Sequence, residues 1–202
     1  AALARLHLAT GEERFRIGAV AALAYERSHF SKKQDNWPDL RDMNSSHEAP
    51  RFQVSWCHGA PGIALGRACL WGTALWDEHC ADEMAAALGT TAATDGIRSD
   101  HDHLCCGTLG LMLIQKALCS GPWPIVADLR ECCEQAVSAL ERQALERCRV
   151  EPIKLSCFGT QEGTLLLPGF FTGLSGMAMA LLADPKSKGI AQQLLSAGLW
   201  PG

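Results

Sequence analysis

The sequence predicts an all-α fold of stacked helical hairpins, and three observations point to it. A Gly-x-x-Gly unit followed by apolar, any, apolar occurs three times, with first glycines at Gly59, Gly107 and Gly173. Helical stretches that are apolar all round alternate with amphipathic ones, as they would in an inner ring of helices wrapped by an outer ring. Strand candidates are scarce, the best being the short run Phe52 to Trp56.

Taken in order, Glu12 to Phe30 places apolar residues at helical spacing and starts at a Thr10-Gly11 cap region. Ser31 to Pro50 is polar, contains the turn signal Asn36-Trp37-Pro38-Asp39, and reads as a long loop. After the first glycine unit, Gly62 to Leu75 reads as a buried helix and Asp77 to Leu88 as its more polar partner, with 90–99 returning the chain to the second unit. Gly107 to Cys119 is again nearly all apolar, and Pro124 to Arg149 is a long amphipathic helix whose wet face carries Glu131, Glu134, Glu141, Arg142 and Glu146. Glu151 to Pro168 is irregular. Gly173 to Leu182 is the third apolar helix, stopped by Asp184-Pro185 before a short helical tail at 190–195.

Composition narrows the class. At 202 residues, 48% hydrophobic and 20% charged, one domain spanning 1–202 can bury a sizeable core. A net charge of -4 without blocks of like charge gives no electrostatic footprint for nucleic acid. No run is long and apolar enough to span a bilayer, and no signal segment opens the chain, so a cytoplasmic location is expected. In that setting the ten cysteines are expected to be reduced thiols or metal ligands rather than disulfides.

Three of those cysteines stand apart. Cys57 and Cys105 each lie two residues before the first glycine of a unit, and Cys106 adjoins Cys105. Equivalent positions on neighbouring repeats can converge at one rim of a ring, where unpaired helix N–H groups favour thiolate over thiol. Three thiolates supply three positions of a tetrahedral zinc site and leave the fourth open. Such an electron-rich shell suits thiol activation better than water activation, so the site points to sulfur chemistry rather than hydrolysis. The bland alternative is that adjacent cysteines are small buried residues; Cys132-Cys133, inside the amphipathic helix, is read that way, as are Cys69, Cys80, Cys119, Cys148 and Cys157.

Around the thiols, His58 is the candidate for proton transfer. His101 and His103 read as solvated loop residues, and Asp100 and Asp102 as turn caps. Trp37 and Trp56 either line a groove for a peptide or belong to the core. Arg41 and Arg51 are possible substrate anchors.

The runs Ser55-Trp56-Cys57-His58-Gly59-Ala60-Pro61-Gly62-Ile63, His103-Leu104-Cys105-Cys106-Gly107-Thr108-Leu109-Gly110 and Phe170-Phe171-Thr172-Gly173-Leu174-Ser175-Gly176-Met177 resemble the signatures of lanthionine synthetase C-like cyclases. Asn36-Trp37-Pro38-Asp39-Leu40-Arg41 and the paired cysteines resemble, more narrowly, the C-terminal cyclase domain of class II, bifunctional lanthipeptide synthetases. The resemblance implies an α/α toroid and one Zn2+ held by Cys57, Cys105 and Cys106, the last standing where many relatives have histidine. It also implies the reaction: a precursor-peptide cysteine adds to dehydroalanine or dehydrobutyrine, forming a lanthionine or methyllanthionine thioether. The family's upstream Gly-x-x-His-Gly motif and the dehydratase portion of class II enzymes have no counterpart in these residues. The match therefore reads as about the second half of a cyclase domain, an open ring expected to self-associate and to need the upstream portion for turnover. The gap would be flanked by the helices at 62–75 and 173–182. Alternatives within the resemblance are a zinc- or peptide-binding relative without turnover and an enzyme adding glutathione to dehydroamino acids; a structural zinc domain is a third.

Overall fold

Each glycine unit begins a helix in the computed structural model, which describes residues 1–41, 50–93, 101–149, 155–160, 163–165 and 167–182. Helices α1 (Ala2–Thr10) and α2 (Glu13–Ser28) come first. A short hairpin of β1 (Val54–Ser55) and β2 (His58–Gly59) then leads into α3 (Ala60–Ala68), followed by α4 (Glu78–Ala93), α5 (Thr108–Ser120) and α6 (Ala127–Arg149). A second hairpin, β3 (Phe158–Thr160) with β4 (Gly163–Leu165), precedes α7 (Leu174–Leu182).

The helices form two layers. α3, α5 and α7 lie side by side, while α4 and α6 pack behind α3 and α5 and against each other. This is the inner and outer layering that the alternation of apolar and amphipathic stretches predicts. In α5, eleven of thirteen residues are buried, from Thr108 to Cys119 with only Lys116 excepted; in the longer α6 only Cys133, Val137, Leu140 and Ala144 are. Met84, Leu88, Ile114 and Leu118 fill the space between the layers on one side, and Leu109, Leu113, Val137, Leu140 and Met177 on the other.

The glycine repeat has one physical cause in all three places. A Cβ on Gly62 would lie 2.2 Å from the Trp56 carbonyl oxygen, one on Gly110 1.7 Å from that of Leu104, and one on Gly176 1.9 Å from that of Phe170. Each second glycine thus lets the segment six residues upstream lie directly on the first turn of its helix. Any side chain there would force the two backbones apart.

Several elements differ from their predicted extents. The helix expected over 62–75 ends at Ala68, where the chain breaks into turns through Trp76, with Gly72 at a φ of 75°. α4 runs past Leu88 to Ala93. α1 was not anticipated from the sequence, although its alanines and leucines are strong helix formers and Gly11, left-handed at φ 71°, donates its N–H to His7 O as a C-terminal stop. Residues 163–165 pair with 158–160 where an irregular segment was expected. Asp184-Pro185 and the tail at 190–195 fall outside the described residues.

Ala4, Ala19 and Leu23 of α1 and α2 form a core with Leu70 and Leu75, in the turns after α3, and with Cys80 at the start of α4. Buried Arg67 on α3 donates to Glu26 on α2 (2.5 Å) and Glu83 on α4 (2.6 Å), and Arg27 bridges Glu83 and Asp77. Such a buried cation needs both carboxylates to offset its lost hydration.

Candidate metal centre and its cleft

Cys57 sits at the tip of the first hairpin. Val54 pairs with Gly59 and Ser55 with His58, leaving Trp56 and Cys57 as the two turn residues. Gly59 closes the turn at φ 80° and ψ -157°, a conformation that a side chain would strain; a Cβ there would also lie 1.9 Å from Gln53 O. Cys57 is consequently held out as an exposed thiol.

Cys105 and Cys106 approach from the turn before α5. Cys105 N–H donates to Phe171 O (2.9 Å), joining this unit to the third one, and Cys106 N–H donates to His103 Nδ1 (3.3 Å). Below them Asp102, wholly buried, accepts from Ser156 N–H (3.0 Å) and from the Arg147 guanidinium at the end of α6. These bonds tie the turn to the outer layer and to the segment preceding β3.

The three sulfurs meet. Cys106 Sγ lies 3.3 Å from Cys57 Sγ and 3.4 Å from Cys105 Sγ, and all three lie within 4.8 Å of one another. Zinc–sulfur bonds of about 2.3 Å in tetrahedral geometry place sulfurs roughly 3.8 Å apart, so sub-ångström movements would turn the cluster into three corners of a zinc shell. The donor set therefore fits zinc. Among the described residues this is where three such side chains come close enough to hold a metal ion.

Electrostatics favour a bound cation. Burial pushes the Cys105 and Cys106 thiols up, and Cys57 beside them pushes them up further. Burial acts in the same sense on Cys57, but hydrogen bonds from Ser55, Cys106 and Cys105 outweigh it and bring that thiol below its ordinary value. The cluster thus accommodates one thiolate solvated by its neighbours; a dication is what would let all three ionise together.

His58 touches the cluster, with Nδ1 3.0 Å from Cys57 Sγ, and its Nε2 lies 3.7 Å from Asp39 Oδ2. Cys57 and His58 line a cleft of about 650 Å3 together with Trp37, Trp56, Tyr25, His29, Asp39 and Arg41. Trp37 is buried against Phe30 and is also among the residues that line the cleft. Trp56 is half-buried and meets Phe171 edge-on at 5.5 Å. Arg41 pairs with Asp39, and its guanidinium holds the Asp39 carboxyl well below the usual carboxylate range.

Other candidates fall elsewhere. His103 is not solvated but 1% exposed, stacked on the half-buried His101 beneath the cysteine turn. The Asp102 carboxylate anchors neighbouring segments instead of merely capping its own turn. Arg51 lies outside the cleft lining, its backbone bridging Asp39, and Asp100 is outside the described residues. Cys69, Cys80, Cys119, Cys133 and Cys157 are buried as packing residues, with Cys148 half-buried. Asp39 was not singled out in the sequence. Its signal lay in the motif at 36–41, which gives no contact partner by itself.

The family model for lanthionine synthetase C-like protein matches residues 1–189. The chain belongs to the lanthionine synthetase C-like family. Neither the curated proteins nor the solved structures yield a match. A lanthionine synthetase C-like chain is associated with cyclase-type chemistry on peptides, and its cysteine cluster is of a kind that could hold a metal ion. No described helix of this family member is long and apolar enough to cross a membrane.

Proposed function

We propose that this chain carries the zinc centre of a lanthipeptide cyclase, with Cys57, Cys105 and Cys106 as ligands, and that it joins precursor-peptide cysteines to dehydroalanine or dehydrobutyrine. The main support is the convergence of thiols from two repeats, with Cys57 in the wall of an open cleft and His58 in contact with it. Bound zinc supplies the positive charge that lets an incoming peptide thiol react as a thiolate near neutral pH. The chain's own residues do the rest. The cleft receives the peptide between Tyr25 and Trp56, and Cys57, being exposed, leaves the sulfur cluster within reach of it.

His58 Nδ1 faces the cluster and takes the thiol proton; the same proton then passes to the α-carbon as the carbon–sulfur bond forms at the β-carbon. Addition consumes no oxidant and releases no leaving group. A reducing compartment such as the cytoplasm would keep both enzyme and substrate thiols competent. In this proposal the upstream portion of a longer synthetase supplies the remainder of the ring.

The test incubates zinc-loaded protein, alone and with the upstream region, with a dehydrated precursor peptide, and counts free thiols by alkylation and mass spectrometry. Enzyme-dependent thiol loss without mass change in the peptide is expected when the upstream region is present. Thiol counts equal to the enzyme-free background in that mixture would overturn the proposal. Incorporation of added glutathione instead of internal cysteine would redirect it to glutathione addition.

A further inference from the structure

The position that carries a sulfur in the first two glycine units carries a phenyl ring in the third. Cys57, Cys105 and Phe171 each stand two residues before the first glycine of their unit, and Trp56 and Phe170 stand one residue earlier. The backbone beneath the two phenyl rings is fixed. Phe171 O accepts Cys105 N–H at 2.9 Å, Leu174 N–H donates to Leu167 O at 2.7 Å, and Phe170 O lies against Gly176, where a Cβ would be 1.9 Å from it. These contacts engage main-chain atoms, so the fold needs the path of this loop and not its rings. Yet the rings are large and turned outward, Phe171 being 54% exposed and Phe170 38%. Phe171 meets Trp56 edge-on with centroids 5.5 Å apart and Phe170 edge-on at 5.3 Å, which makes a continuous row of three rings. Trp56 adjoins Cys57 and lines the cleft, so the row begins beside the sulfur cluster and extends beyond the cleft lining. Its two phenyl groups lie in a stretch with no charged residue from Gly163 to Ala183.

We propose that the row Trp56–Phe171–Phe170 is the specificity subsite of the sulfur centre, and that it receives an apolar side chain two places from the reacting cysteine of the peptide. This deepens the cyclase function proposed above and rests on it for the kind of substrate. In an extended chain, residues i and i+2 present their side chains on one face about 7 Å apart. A peptide whose cysteine lies at the sulfur cluster therefore carries the side chain two places away over the rings beside that cluster, while the one between faces the other way. Covering exposed rings removes apolar area from water, and contacts with the phenyl faces and edges add to the gain. A polar amide or carboxylate docked there loses water and finds little to replace it. The row thus selects leucine- or phenylalanine-like residues at that place in the peptide.

The experiment measures fluorescence anisotropy of labelled, undehydrated peptides that carry one cysteine and, two places from it on each side, either Leu or the similarly shaped Asn. They are titrated with the zinc-loaded chain, alone and with the upstream region. The Leu peptide is expected to bind about 5-fold more tightly than the Asn peptide. Phe171→Ala and Phe170→Ala should each bring that ratio toward one with zinc stoichiometry and helical circular dichroism unchanged, and Phe171→Leu, which keeps apolar area, should retain most of it. Leu182→Ala, at the far end of α7 and also exposed, should leave the ratio unaltered. Equal affinities of the two peptides for the unsubstituted chain, an undiminished ratio in folded Phe171→Ala and Phe170→Ala, or an equal loss in Leu182→Ala overturns the proposal. So does loss of the preference on adding the upstream region, which would mean that this region covers the rings. If neither phenylalanine variant folds, the affinities of the unsubstituted chain decide. A Leu preference with no thiol loss from any dehydrated peptide would sink the cyclase function and leave the subsite intact; thiol loss together with equal affinities would do the reverse.

Discussion

Cys105-Cys106 and Cys132-Cys133 are the same dipeptide placed in two backbones. The first pair lies in a turn ahead of α5, held by Phe171 O and His103 Nδ1, and both sulfurs meet that of Cys57. The second pair lies inside α6, where successive side chains point about 100° apart. Cys132 accordingly faces solvent and Cys133 is fully buried against the inner layer. Adjacency converges two thiols only where the backbone is irregular; within a helix it separates them.

The largest effect that can break this contrast is loss of metal. Cys57→Ala and Cys106→Ala are each expected to reduce zinc from one per chain to none, whereas Cys133→Ala keeps it. Inductively coupled plasma analysis of the three purified variants decides, and equal zinc in all of them would mean that the wrong pair was chosen.

Next comes the backbone that makes the first turn possible. Gly110→Ala drives a methyl group into Leu104 O, so a loss of about 3 kcal/mol or more is expected. Gly89→Ala in α4, where a Cβ meets nothing within 4 Å, should instead gain about 0.5–1 kcal/mol. Urea unfolding monitored by circular dichroism compares the two, and a Gly110→Ala protein as stable as the unsubstituted chain would show that the close approach is dispensable.

Cys133→Ala should cost about 1 kcal/mol through lost packing, read in the same urea titration. The smallest effect is expected at Cys132: Cys132→Ala should change stability by less than about 0.5 kcal/mol. In the unsubstituted chain its exposed thiol should be alkylated equally fast with and without zinc, while Cys57, also exposed, should be alkylated quickly only in the metal-free form. Zinc protection of Cys132 in a time-resolved mass-spectrometric alkylation would erase the distinction between the pairs.

The glycine units were legible because close backbone approach leaves a mark that only glycine can satisfy. The same device appears in the third unit, where Phe171 and Thr172 stand in the places of Cys57 and His58 and of Cys105 and Cys106. Phe171 contributes an edge-on contact to Trp56 and an acceptor for Cys105 N–H instead of a thiol. α1 was overlooked because its alanines and leucines give little polar contrast, although Gly11 marked its end. His103 reads as solvated in the sequence because it follows Asp102 in a polar loop, and only the surrounding fold buries it.

What the sequence by itself determined is the series of helices from α2 onward, their sorting into apolar and amphipathic layers, and the candidacy of Cys57, Cys105 and Cys106. These follow from local chemistry: helical periodicity, and glycine where two backbones touch. What only the tertiary structure decided is partnership across the chain, including the meeting of the Cys57 and Cys106 sulfurs at 3.3 Å, Asp39 beside His58, and the Arg147 guanidinium on Asp102. Such pairs are tens of residues apart or lie in different segments. Their distances are set by how the layers pack, which local sequence pattern does not encode.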